Sequence, residues 1–500
     1  MTAWAQVRAL LGLRWQMVRS PSTRLVIRLA ALLLVYLLVL AARSAGLYEK
    51  AALETAVKLA PQAFLGFGVL AVVAPLTAGG GNELFPPDQL VAYPIRARTH
   101  FLGGLLLAPV NLVWVLQIFA LVAETAYLTA GGDAVLGAAT TMAFILALTV
   151  TGQALAWTVA GLRQTRGGRR VVLGLGVAVL LAALVVVRTD SLNTLLDHAP
   201  TRVVVDGVLA GAHERWGEWA TITSVLLVLL LAGLAVGARA CNWALRRPGD
   251  AGAVREARPV NRRPAQASAL RELISVDRAS VWRAPALRRG GLVLAVLPGV
   301  AAAGAALPWE SIIVMPGLVA AGAGLLFGVN AFCLDGSGAV WLASLPHDPG
   351  LVIRAKTVVL TETVLAAVTV AAVAGSLRSP GSPTAAELGA IVAGGLSCTA
   401  FVVCSCLSMS VRHPHKADLR GPRDAVAPPG ALALASLQLA LPAGLIGLVF
   451  EGTASSGVWW LPVILGLLAL AGAGSWARAS WAAYDNPGRR AGIVQVVAAG

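Results

Sequence analysis

Hydrophobic runs of about twenty residues alternate with short polar segments along most of this chain. Six runs precede residue 241, at about 25–43, 57–78, 101–128, 134–162, 171–187 and 219–240. Six more follow a long polar segment, at about 290–307, 312–334, 352–375, 386–410, 429–450 and 458–477. About 20 apolar residues are what one helix needs to cross the hydrocarbon core of a bilayer. The pattern therefore predicts an all-α polytopic membrane protein with about twelve transmembrane helices.

The composition agrees with this prediction. Of the 500 residues, 57% are hydrophobic and 13% are charged, and the mean hydropathy is +0.77. The net charge of +15 comes from arginines in short segments between apolar runs, so it indicates cytoplasmic loops and not nucleic-acid binding. The abundance of Arg, Ala, Val and Gly indicates a GC-rich bacterial genome, and hence a multi-pass protein of the bacterial plasma membrane.

The distribution of basic residues predicts the orientation in the membrane. An even number of spans places both termini on one side, and Lys and Arg are enriched in cytoplasmic loops. If the N-terminus is inside, about 32 of the 39 Lys and Arg residues are cytoplasmic and about seven are outside. The seven are Arg43, Lys50, Lys58, Arg188, Arg202, Arg215 and Arg378. Both termini are therefore predicted to be cytoplasmic.

An internal repeat predicts two pseudo-symmetric six-helix units. The pattern R-x4-R-x-P-x-x-R occurs before the first span and again before the seventh. Its residues are Arg14, Arg19, Pro21 and Arg24, then Arg278, Arg283, Pro285 and Arg288. A second match places Glu83 eleven residues before Pro94 and Asp335 eleven residues before Pro346. Two matches in equivalent positions indicate duplication, with a first unit at 1–240, a basic cytoplasmic linker at 241–266 and a second unit at 267–500.

Two segments of the first unit have a readable physical character. Apolar residues from Trp4 to Val18 recur at helical spacing, with arginines on the other faces, which predicts an amphipathic helix at the interface with anionic lipid. Between the second and third runs, Asp88 to Tyr93 reads as a short helix that Pro94 ends. This short helix is either a docking element exposed to the cytoplasm or an ordinary loop.

The search for chemistry in the chain is mostly negative. The stretch Gly350–Thr357 resembles a phosphate-binding loop, but Ala355 replaces its second glycine and the stretch enters a membrane span. The five cysteines (Cys241, Cys333, Cys398, Cys404 and Cys406) lie in or beside apolar runs without metal-ligand spacing. We therefore expect no catalytic residues, no metal site and no cofactor in this chain, and we expect reduced cysteines that serve packing.

Polar residues inside the predicted spans are few. They are Asn111, Gln117, Gln153, Asn330, Glu362 and Gln438. Such groups either hydrogen-bond helix to helix, which is the commoner role, or line a substrate cavity. Glu362 is the one carboxylate near the middle of a span, and Lys356 is six residues away, which is not a helical pairing distance.

The amphipathic helix, the six-span unit and the Tyr93–Arg98 ending of the cytoplasmic segment together resemble the permease subunit of an ATP-binding-cassette (ABC) exporter. The likeness is to the type-two permease class, common among actinobacterial drug and antibiotic exporters, and it covers the chain as two fused halves. It implies an elbow helix at each R-x4-R-x-P-x-x-R repeat and a coupling segment in each half. These segments would contain Glu83, Asp88, Tyr93, Pro94, Arg96 and Arg98, then Asp335, Trp341, Pro346, Arg354 and Lys356.

The same resemblance implies partners and a substrate class. Two copies of a separate ATP-binding subunit, carrying ATP and Mg²⁺, would dock on the coupling segments of one chain. The cargo would be an amphiphilic or lipophilic small molecule. The second half departs from the family pattern because its last outside loop, Glu451–Gly457, is short, so an external gate would come from the first half alone.

Two alternatives remain open. A secondary transporter of the major-facilitator type has twelve spans and a basic central loop, and it predicts buried charged pairs and no ATPase partner. A membrane-embedded lipid-modifying enzyme predicts an acidic or histidine cluster at a membrane face, which the sequence does not display.

Overall fold

The computed structural model describes residues 3–17, 50–77, 95–107, 112–129, 133–165, 167–188, 199–246, 268–304, 306–417, 427 and 429–499. The regular elements in these ranges are helices. In chain order they are α1 (Ala3–Met17), α2 (Lys50–Thr77), α3 (Ala97–Leu107), α4 (Leu112–Leu128), α5 (Ala134–Arg163), α6 (Gly168–Arg188), α7 (Pro200–Ala212), α8 (Trp216–Leu245), α9 (Ala269–Arg283), α10 (Pro285–Gly304), α11 (Trp309–Ala323, continued by a π-helical turn Gly324–Gly328), α12 (Gly338–Ser344), α13 (Gly350–Ser376), α14 (Ala385–Arg412), α15 (Pro429–Ser455), α16 (Trp460–Asp485) and α17 (Pro487–Ala498).

Eight helices in the described ranges are long and apolar enough to cross a membrane. Two of them, α5 and α8, belong to the first half, and α10, α11, α13, α14, α15 and α16 belong to the second. Each of the six runs predicted after the central polar segment coincides with one of these helices. The run at 25–43 lies outside the described residues, and the run at 101–128 is described as α3 and α4. An all-α membrane protein is thus confirmed, whereas the count of twelve spans stays a prediction.

The chain divides into two compact units. Unit 1 comprises Met1–Leu76 and Gly80–Arg258, and unit 2 comprises Thr77–Gly79 and Pro259–Gly500. Helix α8 of unit 1 extends to Leu245 and so enters the predicted linker 241–266 by five residues. The boundaries of the predicted linker otherwise lie among residues outside the described ranges.

In unit 1, α8 packs along α5, and α2 crosses α5 on another side. The close approach needs a glycine, because a Cβ added to Gly152 would lie 2.1 Å from the carbonyl oxygen of Ala71. Next to this crossing, the rings of Phe64 and Phe144 pack with their centroids 5.3 Å apart. Small residues at a helix crossing let the backbones approach where water supplies no driving force.

Helix α7 is a short helix of 13 residues, and it is packed into unit 1. Its first turn contains Pro200, and the Thr201 hydroxyl donates to the carbonyl oxygen of Pro61 at 2.8 Å. Val204, Val205 and Val208 are buried against the aromatic core of α2 and α5. A helix of this length is too short to span a bilayer.

Helix α1 is attached to the start of α3. Val7 is fully buried, and the Thr99 hydroxyl donates to the side-chain oxygen of Gln6 at 2.8 Å. Trp4 remains 53% exposed. One side of α1 therefore packs on unit 1 and another side is open, as expected of an amphipathic helix at an interface.

In unit 2, α14 lies at the centre and contacts α11, α13, α15 and α16. Its buried face is lined with small side chains, among them Cys398, Cys406 and Ser410. The successive spans run in alternating directions. At one end Asn330 donates to the carbonyl oxygen of His415 at 2.6 Å, and at the other the indole N–H of Trp309 donates to that of Gly381 at 3.3 Å.

The two ends of unit 2 differ in charge. One end, which we call the basic end, is formed by α9, α12, α17 and the first turns of α13, and several of its cations are exposed: Arg271, Arg283, Arg288, Arg354, Arg412, Lys416 and Arg489. The opposite end carries Glu310, Glu387 and Glu451 together with Arg378. This asymmetry is the kind that distinguishes the two faces of a membrane protein.

Candidate functional site

The candidate site lies at the basic end of unit 2, where α9 meets α13. Ser268 is the N-cap of helix α9, and its hydroxyl accepts from the Arg271 amide at 3.4 Å; the helix ends at Arg283, two residues before Pro285. Helix α9 packs against α13, and Asp277 lies about one turn after the apolar residues Leu273 and Ile274, on the same face. An acidic residue on the buried stripe of an amphipathic helix needs a partner.

Asp277 finds that partner in Lys356 of α13. The ammonium Nζ of Lys356 donates to Asp277 Oδ1 at 2.5 Å and to Asp335 Oδ1 at 2.7 Å. The side chains are 5% exposed for Lys356, 10% for Asp277 and 17% for Asp335. These three residues, which we call the ionic cluster, join helix α9, the turns that follow α11 and helix α13 at one point.

The ionic cluster holds two carboxyl groups against one ammonium. Burial raises the pKa of Asp277, and the Lys356 ammonium opposes this rise. Burial also raises the pKa of the neighbouring Cys333 thiol to about 12, so the thiol stays protonated. Removing one partner of a buried pair costs about 3–5 kcal/mol because it strands a charge. The cluster is therefore a strong constraint on the relative positions of its three elements.

A second ion pair links the same two helices with the opposite polarity. Arg278 Nε donates to Glu362 Oε2 at 2.7 Å, and Arg278 Nη2 donates to Glu362 Oε1 at 2.5 Å. The hydrogen bonds to Glu362 raise the pKa of the Arg278 guanidinium. The side chains are 57% and 42% exposed, so this pair contributes about 0–1 kcal/mol. Its bidentate geometry fixes the rotation of α9 on α13.

The segment between α11 and α13 holds a short exposed helix, α12. Within this helix Ala339 is buried, whereas Val340 is 56% and Trp341 is 73% exposed. After α12 the imidazole of His347 contacts the carbonyl oxygen of Leu342 at 2.9 Å and closes the turn. Helix α12 thus presents a large aromatic side chain at the basic end from a backbone held by internal hydrogen bonds.

Helices α16 and α17 pack against the segment between α11 and α13. The Phe332 and Tyr484 rings stack at 5.3 Å with an angle of 5° between their planes. The guanidinium carbon of Arg354 lies 5.8 Å from the Trp481 ring centroid, a cation–π contact. Helix α17 packs against α12, and its Ile493 joins the same buried cluster as Ala339.

The predicted coupling residues of the second half fall into two groups. Trp341, Pro346 and Arg354 are exposed at the basic end. Asp335 and Lys356 lie inside, in the ionic cluster. The segment therefore has an exposed part that is open to a partner and an inner part that fastens it to α9 and α13.

In the first half, only the end of the predicted coupling segment is described. Arg96 and Arg98 are exposed, and the Arg96 amide lies 3.4 Å from the side-chain oxygen of Gln6. The predicted residues Glu83, Asp88, Tyr93 and Pro94 lie outside the described residues.

The other predicted residues are placed as follows. Arg283 and Arg288 are exposed, Gln153 is buried in α5, Asn330 is buried beside His415, Gln438 is exposed on α15, and Arg278 and Glu362 pair with each other. For Arg14, Gln117 and Pro285 only the backbone is described, and Arg19, Pro21, Arg24 and Asn111 lie outside the described residues. The described members are spread over both units, and no cavity-lining role is assigned to them.

The sequence pattern alone did not point to Asp277 or to the α16 residues Trp481 and Tyr484. Asp277 carries a signal in retrospect, since it is an acid on the apolar stripe of an amphipathic helix. Trp481 and Tyr484 follow the predicted end of the last span, at residue 477, and α16 continues past that point to Asp485. The partner of each depends on which elements fold together.

Helix length, hydropathy and composition define the chain as a multi-pass α-helical membrane protein. Comparisons with protein-family models, with curated proteins and with solved structures give no match. In the described part of the chain, no group of three or more His, Cys, Asp or Glu side chains is placed to hold a metal ion. A more specific function therefore has to be argued from the basic end of unit 2.

Proposed function

We propose that the chain is the transmembrane permease subunit of an ABC exporter of the bacterial plasma membrane. It moves an amphiphilic or lipophilic small molecule outward, driven by ATP and Mg²⁺ bound on a separate ATPase subunit. Two copies of that subunit dock on one chain, one at each predicted coupling segment. The basic end of unit 2 faces the cytoplasm, in accord with the excess of Lys and Arg in cytoplasmic loops.

The main support for the proposal is how residues 329–350 fold and pack. Two candidate spans are joined there by a short exposed helix with Trp341 at its surface. This segment is held in place by three contacts, namely the ionic cluster, the Phe332–Tyr484 ring stack and the packing of α17 against α12. A rigid, exposed aromatic anchor is what a protein interface needs at its centre. A loop that merely connects two spans needs none of these supports.

The environment of Glu362 favours this proposal over a secondary transporter. A proton- or ion-coupled transporter uses carboxylates that face a central pathway near mid-membrane. Glu362 is instead 42% exposed and is held by Arg278 of the amphipathic helix α9. Lys356 and Asp335 are likewise occupied with each other and with Asp277. The buried Lys356 cluster is a charged group of the kind that a secondary transporter also predicts, but in the described part of unit 2 it joins α9, α13 and the turns after α11 at the basic end.

Affinity purification of the tagged full-length chain from native membranes tests the proposal. We expect an ATPase subunit to co-purify at two copies per chain, with vanadate-sensitive ATP hydrolysis. Trp341→Ala should lower the co-purified ATPase from two copies toward one copy per chain, because it removes the exposed anchor of the second coupling segment and leaves the first segment unchanged. Trp459→Ala is the matched control, since Trp459 is also exposed, at 62%, but lies between α15 and α16 at the opposite end.

Two results would contradict the proposal. One is a purified chain without any ATPase whose transport is insensitive to vanadate, which favours the secondary transporter. The other is an equal loss of ATPase from Trp341→Ala and Trp459→Ala, which excludes docking at α12.

A further inference from the structure

Helix α9 and the segment that carries α12 are connected by charge as well as by packing. We propose that the ionic cluster and the Arg278–Glu362 pair form an ionic lock that makes α9, α12 and the start of α13 move as one body. This inference rests on the proposed function, because it states how a displacement of the docking helix reaches the rest of unit 2.

The charge pattern of the lock specifies a single register. The neighbours Asp277 and Arg278 have opposite charges, and their partners Lys356 and Glu362 have the reverse charges. A slide or rotation of α9 that exchanged these partners would place like charges together. Crossed pairs of this kind discriminate against wrong alignments more than they add stability.

Asp335 extends the lock to the docking segment. Its carboxylate shares the Lys356 ammonium with Asp277, although it lies 21 residues before Lys356 and beyond the end of α11. Between Asp335 and α12 there are only two residues, Gly336 and Ser337. A displacement of Trp341 is therefore transmitted through a short segment to Asp335 and the Lys356 ammonium, and from the ammonium to Asp277 of α9.

The lock also explains why a buried charged cluster is present where apolar packing would give the same stability. Apolar residues of similar volume often replace a buried ion pair at no loss of stability. Two carboxylates from separate elements on one lysine instead make the position of each element depend on the other. Asp277, Asp335, Arg278 and Glu362 are thus positioning residues that act through the docking segment.

Distance measurement between spin labels tests the lock. Labels on Val276→Cys and Val340→Cys report α9 and α12, since both sites are 56% exposed, and the native cysteines are buried. We expect one narrow distance distribution in the otherwise unchanged full-length chain. Asp277→Leu with Arg278→Ala should broaden or shift it, because both links from α9 are removed while Lys356 and Asp335 remain a balanced pair.

The matched control is Glu272→Leu with Arg271→Ala. It makes the same kind of changes at two exposed positions of the same helix, and it should keep the narrow distribution. If the Asp277/Arg278 variant folds poorly, Arg278→Ala with Asp277→Asn keeps the size of the buried side chain and is expected to give a smaller broadening in the same direction.

A distribution that is the same in the lock variants and in the control would overturn the inference, because packing alone would then hold α9. The outcome is separable from the proposed function. Broadening without any co-purified ATPase leaves the lock standing and removes the exporter. Co-purified ATPase with unchanged distances leaves the exporter standing and removes the lock.

Discussion

At the scale of single residues, Lys356 is the side chain on which most depends. It is a cation in a candidate span, 5% exposed, and two carboxylates meet at its Nζ. The three groups do not contribute equally, because the cluster contains one more acid than base. Losing the ammonium strands two buried charges, whereas losing the charge of Asp277 leaves a neutral pair.

We therefore expect Lys356→Met to lower the free energy of unfolding by about 3–5 kcal/mol and Asp277→Asn by less than about 1 kcal/mol. Thermal unfolding in detergent, followed by tryptophan fluorescence, measures the difference. Burial raises the pKa of Asp277, so the folded state gains stability on acidification through that group. The defect of Lys356→Met should accordingly shrink at low pH. An equal loss for both variants at neutral pH would contradict this account.

At the scale of elements, short helices determine what the long ones present. The basic end of unit 2 is built from α9, α12 and α17, none of which is long enough to span. Helix α17 contributes Ile493 and Val497, both 3% exposed, to the cluster that contains Ala339 of α12. A helix of seven residues has little stability of its own, so α12 depends on this support.

The substitution Val497→Asp should detach α17 from α12. Burial of a valine is worth about 1.5–3 kcal/mol, so amide hydrogen exchange in residues 338–344 should accelerate about tenfold or more. Val496→Asp is the control, because Val496 is next to Val497 in the sequence but its side chain is 38% exposed. Equal exchange rates in the two variants would mean that α12 is held by the ionic cluster without help from α17.

At the scale of the whole molecule, the charge asymmetry of unit 2 predicts its orientation. Exposed arginines and lysines gather at the end formed by α9, α12 and α17, whereas Glu310, Glu387 and Glu451 lie at the opposite end. The orientation follows from the preference of basic loops for the cytoplasm.

Labelling of single introduced cysteines in intact cells checks this orientation. A membrane-impermeant maleimide should label Ser382→Cys, which lies exposed between α13 and α14, before the cells are permeabilised. Val340→Cys should be labelled only afterwards. The unchanged chain is the control for background, since its five cysteines are buried. Reversed labelling would invert the topology and place α12 outside, where no ATPase can reach it.

The sequence by itself determined the class of protein and the positions of the spans in the second half. These properties are local, because hydropathy and helical periodicity are summed over neighbouring residues. Only the tertiary structure decided how the charges are used. Asp277 and Lys356 are 79 residues apart, and Arg278 and Glu362 are 84 apart. Their pairing depends on how α9 is rotated on α13, which no local pattern encodes. For the same reason the sequence placed Asp335 and Lys356 in one coupling segment without showing that they pair with each other and with Asp277.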